Sequence, residues 1–271
     1  MQISLPYFDL IFSRLEAQDA RFEAVFSRHV HFGYWPNPDH QNTYRDKIDG
    51  VRAMDRLCQL LIELSDIQNG QNVLDVGCGF GGTLATINDQ FSEMNLTGVN
   101  IDPRQIEQAR KRWSARPTNQ LQFLVGDACE IDFQTVSFDR ITAVECIFHF
   151  LSRRKFFERV RRCLRKGGNL TITDFVQPEG VAVGLWDKLG ENLWGRHAAT
   201  NLSSYRALAA KYGMKVTSCQ DISPNVRPTY HFLGSVLGAH FPQILDDIKG
   251  GEFLLDNEQV AYCALRFDRI D

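Results

Sequence analysis

The chain has no C-x-x-C pair and no even, regular cysteine framework. Its seven cysteines, Cys58, Cys78, Cys129, Cys146, Cys163, Cys219 and Cys263, are scattered. That pattern excludes zinc-ligand spacing and a disulfide scaffold, and predicts a reduced, cytoplasmic protein with no metal site. No apolar run approaches the ~18 residues that cross a bilayer. A basic leader followed by an apolar stretch is missing too, since Asp9 and Arg14 interrupt the first hydrophobic patch, so no stable membrane insertion is expected. Charge of one sign is also scarce. A formal net charge of -3 is too weak a field to gather a polyanion, and nucleic acid is not an expected partner. The basic run of Arg153, Arg154, Lys155, Arg159, Arg161, Arg162, Arg165 and Lys166 has the spacing of a solvated helix face. Repeats, low-complexity tracts and Pro/Ser-rich linkers are absent. What the chain does have is apolar material, 44% of 271 residues, enough for one large core with an appended lid.

Residues 7–29 place Phe8, Ile11, Phe12, Leu15, Phe22, Val25 and Phe26 at mostly helical spacing, and residues 50–65 repeat the signal with Val51, Met54, Leu57, Leu60, Leu61 and Leu64. From Asn72 the rhythm becomes short apolar runs alternating with helical segments. Strands are expected at 72–77, 96–101, 121–125, 138–146 and 169–176, with helices at 83–91, 103–114 and 152–165. Pro103 suits the first turn of its helix and Gly167-Gly168 a helix stop. Beyond residue 200 the pattern predicts a helix near 203–212, a strand near 215–222, a short helix near 229–239 and a final strand near 259–267. The alternation argues for an α/β, doubly wound, mostly parallel seven-stranded sheet with N-terminal helices and a lid insertion after the fifth strand. The expected division is an N-terminal helical cap (1–66), a cofactor-binding core (67–176), a lid and acceptor-binding region (177–240) and a C-terminal strand region (241–271).

The run VLDVGCGFGGT carries Gly77, Gly79 and Gly82 at G-x-G-x-x-G spacing, which by itself suggests a dinucleotide site. Asp75 argues otherwise. A carboxylate beneath the turn repels a pyrophosphate, whereas a ligand bearing an ammonium and a sulfonium gains from it. The second expected strand ends in GVNID, where Asn100 and Asp102 can hold ribose hydroxyls. The third ends in Gly126-Asp127-Ala128. There a carboxylate can accept from an adenine amino group while the next N–H reaches a ring nitrogen.

The motifs VLDVGCGFGG, LTGVNIDPRQ, GDA, FDRITAVECIFHF and LRKGGNLTITDF resemble, in order and spacing, those of class I S-adenosylmethionine-dependent methyltransferases. The resemblance is strongest over residues 50–176. It is closest to the small-molecule branch, with sterol and tocopherol C-methyltransferases and macrolide-type O-methyltransferases. The resemblance implies S-adenosyl-L-methionine as cofactor, with Asp75, Gly77 and Gly79 at its methionine portion, Asn100 and Gln105 at the ribose, Asp127 and Ala128 at the adenine, and Ile101 also among the cofactor-binding residues. Many members have a carboxylate where this chain has Asn100, which leaves open whether Asn100 or Asp102 holds the ribose. His31-Phe32-Gly33-Tyr34-Trp35 resembles an H-x-G-Y-W element in which an aromatic residue, here Tyr34, closes over the cofactor; an aromatic face attracts a sulfonium. Tyr34 and Trp35 can equally pack the N-terminal helices onto the sheet.

Methyl transfer requires the acceptor to be aligned and its proton removed. The run Val144–Phe150 parallels the E-x-x-x-H spacing of sterol and tocopherol enzymes. It offers His149 as catalytic base and Glu145 as a residue that orients the acceptor or binds the cofactor's ammonium. Asp174, His197 and His231 are further candidates. Val181, Val183, Leu185, Trp186, Leu189, Leu193 and Trp194 predict an apolar lid, and the Arg227–Tyr230 run resembles a segment that returns toward the site. The expected activity is methyl transfer to an oxygen or carbon of a lipophilic small-molecule acceptor such as a terpenoid or polyketide, by a monomer or homodimer. The alternatives are lipid methylene transfer of the cyclopropane synthase kind, disfavoured because Phe148 replaces the Glu before the matching His, or a scaffold that binds the cofactor for another reaction.

Overall fold

A computed structural model describes residues 6–38, 47–133, 137–181, 200–238 and 243–271. The lid residues Val183, Leu185, Trp186, Leu189, Leu193, Trp194 and His197 lie outside these. Three helices come first: α1 (Pro6–Glu16), α2 (Ala20–Phe26) and α3 (Lys47–Leu64). Then follow β1 (Asn72–Val76), α4 (Gly82–Gln90), β2 (Asn95–Asn100), α5 (Pro103–Arg112), β3 (Gln120–Val125), β4 (Phe138–Ala143), a 3-10 turn (Ile147–His149), α6 (Arg153–Cys163) and β5 (Leu164–Gln177). The chain closes with β6 (Thr200–Asn201), α7 (Leu202–Lys211), β7 (Met214–Asp221), α8 (Ser223–Val226), α9 (Pro228–Leu237), α10 (Gln243–Asp256) and β8 (Ala261–Arg269).

Seven strands run in the order β3-β2-β1-β4-β5-β8-β7, and the two-residue β6 pairs with β5. β8 is antiparallel to both its neighbours, and the other main strands share one direction. Strand order steps outward from β1 to β3 and then reverses through β4. Right-handed crossovers therefore place α4 and α5 on one face and α6 on the other. The core divides in the same way. Phe156, Phe157, Val160 and Tyr205 belong to one apolar cluster, and Cys58, Ile62, Leu84, Ile87, Ile106 and Ala109 to another. The reversal between β1 and β4 opens a crevice at the strands' carboxyl ends, the place where such sheets bind ligands.

Four elements depart from the expected pattern. The single N-terminal helical section is broken at Gln18, at φ 55, and Asp19 restarts it by capping α2 through the Arg21 N–H. β4 stops at Ala143, so Glu145 sits in a loop with φ 51. Gly167-Gly168 does not end a helix but lies inside β5, where four residues bulge out between the Phe138–Leu164 and Arg140–Asn169 pairings. The expected C-terminal strand region also contains a helix, α10. Gly250-Gly251 masked it in sequence, and Gly251 is small because Tyr230 of α9 lies against it, at 2.8 Å from where a Cβ would stand.

Candidate active site

β1 and α4 are joined by the glycine loop. Gly77 has φ 68, and a Cβ there would stand 2.6 Å from Cys146 Sγ, just past the end of β4. Only glycine satisfies both the left-handed backbone and the close approach. Gly82 opens α4 and lies under the His29 ring, whose Nδ1 would be 2.5 Å from an added Cβ. Gly77→Ala is expected to destabilise the fold by roughly 2 kcal/mol or more, because strained backbone and steric overlap add. Thermal melting checks this.

Asp75 is the charged floor of the crevice. It is 1% exposed, and Thr142 Oγ1 of β4 donates to its Oδ1 at 2.8 Å. Among the described residues no ion pair reaches it. Burial raises its carboxyl to about 7, with the Thr142 bond opposing. Such a carboxylate gains most from a ligand that brings a cation. A cationic ligand is therefore expected to lose affinity as pH falls through about 7, where Asp75 takes up its proton. Titration calorimetry across that range checks the sign.

The ends of β2 and β3 form the next wall. Asn100 Nδ2 donates to Gln105 Oε1 at 3.2 Å, and Asn100 Oδ1 accepts from the Asp102 N–H at 3.0 Å. Asp102 caps α5 and pairs with Arg104 at 2.8 Å. Burial works against its ionisation, but the Arg104 bonds outweigh that and hold its carboxyl below the usual range. Both residues line the crevice, as do Ile101, Gln105, Asp127 and Ala128. Asp127 Oδ1 accepts from the Cys129 N–H at 2.7 Å, which fixes the turn after β3. Ile101 is 38% exposed, an apolar surface held beside polar neighbours.

Across the crevice, Glu145 and His149 both line the space beyond β4. Glu145 Oε2 accepts from the Phe32 N–H at 2.7 Å and lies 2.8 Å from the Tyr262 hydroxyl. Its N–H donates to Thr173 Oγ1 at 2.9 Å. Burial raises its carboxyl to about 8 against those bonds. Glu145 thus ties the H-x-G-Y-W segment to the sheet as well as facing the crevice. The His149 ring packs edge-on against Phe148, centroids 4.4 Å apart.

The H-x-G-Y-W element is split by the fold. His31 lines the crevice, but Tyr34 does not; its N–H donates to Ala53 O, and it packs against the apolar cluster that includes Phe32, Leu57 and Tyr262. Trp35 is fully buried, with Nε1 donating to Thr229 Oγ1 at 2.9 Å. Asp174 is buried in β5, 3.0 Å from Arg153 Nη2 and 2.5 Å from the Tyr205 hydroxyl, and does not line the crevice. His231 lies 3.1 Å from Glu252 on the α9 surface. The sequence reading did not foresee Phe8, Arg28, His29 and Val30 in the wall, nor Thr142 under Asp75. No local signature in the sequence pointed to His29, which meets Gly82 only in the fold.

The crevice is open to solvent and runs from the end of β3 past the glycine loop to the space beyond β4. Its polar points run from the β3 end to a buried carboxylate under a glycine turn, and this arrangement fits a nucleoside carrying a cationic tail. The fold and site thus define an α/β enzyme of the class that uses a sulfonium nucleoside. Residues 73–168 match the methyltransferase domain family. The chain is 32% identical to methyltransferase GfsG of Streptomyces halstedii over 76% of this chain and 73% of that protein. It is 28% identical to 27-O-demethylrifamycin SV methyltransferase of Amycolatopsis mediterranei over 85% and 83%. In structure it resembles mycolic acid cyclopropane synthase CmaA1, with a TM-score of 0.76 at 16% identity over 98% of this chain and 99% of that one. The chain belongs to the class I S-adenosylmethionine-dependent methyltransferases that act on small-molecule metabolites. S-adenosylmethionine is its cofactor, and the cradle of bare glycines over an unpaired carboxylate fits that molecule. Among the described residues no helix is long and apolar enough to cross a membrane.

Proposed function

We propose that the enzyme methylates an oxygen or carbon of a lipophilic metabolite, with His149 as the base that removes the acceptor's proton and Glu145 orienting the acceptor. Bound S-adenosylmethionine supplies a methyl carbon already activated by its sulfonium. Asp75 would hold the cationic end, assisted by Glu145, with Gly77 and Gly79 allowing close backbone approach. Asn100, Ile101 and Gln105 would hold the ribose, and Asp127 and Ala128 the adenine. No contact with the cofactor is assigned to Tyr34, which does not line the crevice.

The observation that carries this reading is the company His149 keeps. Its neighbours on the crevice wall are Val144, Phe150 and Leu151, and Phe8 and Val30 also line the space. Leu151, which lines the same space, is 47% exposed, which suits an apolar acceptor more than a sugar or a peptide. The named relative acting on a demethylrifamycin supports a hydroxyl acceptor.

The test supplies purified enzyme with methyl-labelled cofactor and a fractionated cell extract. Label is expected in organic-extractable small molecules. Label found only in protein or polar metabolites would overturn the proposal.

A further inference from the structure

The strongest feature outside the roles above is a chain of contacts through two histidines. Asp55 Oδ1 lies 3.1 Å from His29 Nε2, His29 Nδ1 lies 3.0 Å from His31 Nε2, and His31 Nδ1 lies 2.8 Å from the Phe32 carbonyl. The carbonyl can only accept, so His31 Nδ1 carries a proton. In a neutral His31, Nε2 then accepts, and the proton in that contact belongs to His29 Nδ1. A neutral His29 is left with a lone pair on Nε2 facing the Asp55 carboxylate, which also can only accept. Two neutral rings therefore leave the chain one proton short, and one added proton satisfies every contact.

Both rings line the crevice, and His29 rests on Gly82 at the first turn of α4. Asp55 opens on the other side, into a separate outer groove lined by Arg28, Arg56, Gln59, Thr86 and Gln90. The pair and Asp55 thus span from the crevice to the outer groove. Burial holds both imidazoles down, His31 to about 3, so in the absence of an anion they stay neutral. The charged groups facing them are Asp55 from α3 and Arg28 from the segment after α2. Arg28 is itself compensated: its Nη2 donates to Thr86 at 2.7 Å, and Asp55 and Asp89 lie 3.7 and 3.9 Å from its nitrogens.

We infer that the His29–His31 pair, backed by Asp55, is the counter-charge for the carboxylate of the cofactor's amino-acid tail, and takes up a proton through the outer groove as that carboxylate binds. The inference rests on the cofactor reading above. It assigns the two ends of the tail to opposite walls, the ammonium to Asp75 and the carboxylate to the histidines. It also explains why the third glycine of the loop is bare, since a side chain there would displace His29.

Binding of S-adenosylmethionine and of decarboxylated S-adenosylmethionine, compared by calorimetry in two buffers of different ionisation enthalpy, tests it. Both ligands carry the ammonium and sulfonium, so proton release at Asp75 cancels in the comparison. The parent enzyme is expected to bind the carboxylated ligand about tenfold more tightly and with greater proton uptake. His29→Asn and His31→Asn should bring the two affinities within about threefold. Asp55→Asn, at a half-exposed position that leaves the core intact, should reduce both the preference and the excess uptake. An unchanged preference in Asp55→Asn and in either folded histidine variant, or no preference in the parent, would overturn the inference. Failure of the parent to bind either ligand would instead overturn the cofactor assignment of the crevice.

Discussion

Asp75→Asn is expected to weaken S-adenosylhomocysteine binding about a hundredfold while leaving the cofactor-free protein at least as stable as its parent at pH 8. The first effect follows from removing a buried charge whose partner is the ligand, which costs ~3 kcal/mol, and each 1.4 kcal/mol is about tenfold in affinity. The second follows from linkage. The folded protein holds this carboxyl at about 7, whereas the unfolded chain ionises it near 4. Between those values the folded state binds more protons, so stability falls as pH rises, and at pH 8 the charged Asp75 is a net cost of a few kcal/mol. Asparagine keeps the Thr142 bond without that charge. A stable variant that binds poorly is the signature expected. A variant that binds normally would mean that Asp75 does not face the ligand's cation.

His149→Ala should lower kcat by ~100-fold or more, the scale of a removed general base, with the Kd for S-adenosylhomocysteine changed less than about threefold. The separation is the point. His149 lines the crevice beyond β4 with Val144, Phe150 and Leu151; in the proposed mechanism it meets the acceptor and not the cofactor, so its loss should spare cofactor binding. Full turnover on an identified acceptor would remove it from the mechanism.

These two residues were legible in the sequence because each sits in a short motif. Asp75 precedes the first glycine of the loop, and His149 follows Glu145 at a family spacing. The ends of β2 and β3 were legible for the same reason: strand, turn and helix there are contiguous, and local apolar rhythm fixes where each strand stops. The opposite wall was not. His29 meets Gly82 only after the N-terminal helices fold back over α4, a contact with no local signature. Tyr34 is the converse case. Its motif was recognised, but in the fold its N–H bonds Ala53 and it packs against an apolar cluster, while His31 is the motif's member on the crevice wall. Glu145 was placed on a strand end, yet β4 stops two residues earlier and its backbone is left-handed. A non-glycine residue held in that conformation is retained by its surroundings, here Phe32, Tyr262 and Thr173. Helix α10 was hidden because glycine in sequence signals a loop, while in the fold Gly251 serves a close helix contact.

The most direct test of the account is a crystal structure with S-adenosylhomocysteine. The ligand's amino group is predicted to lie within hydrogen-bonding distance of Asp75, its adenine at Asp127 and Ala128, and its sulfur facing the space between Glu145 and His149. A ligand bound with its sulfur turned away from Glu145 and His149, or with its amino group away from Asp75, would contradict it.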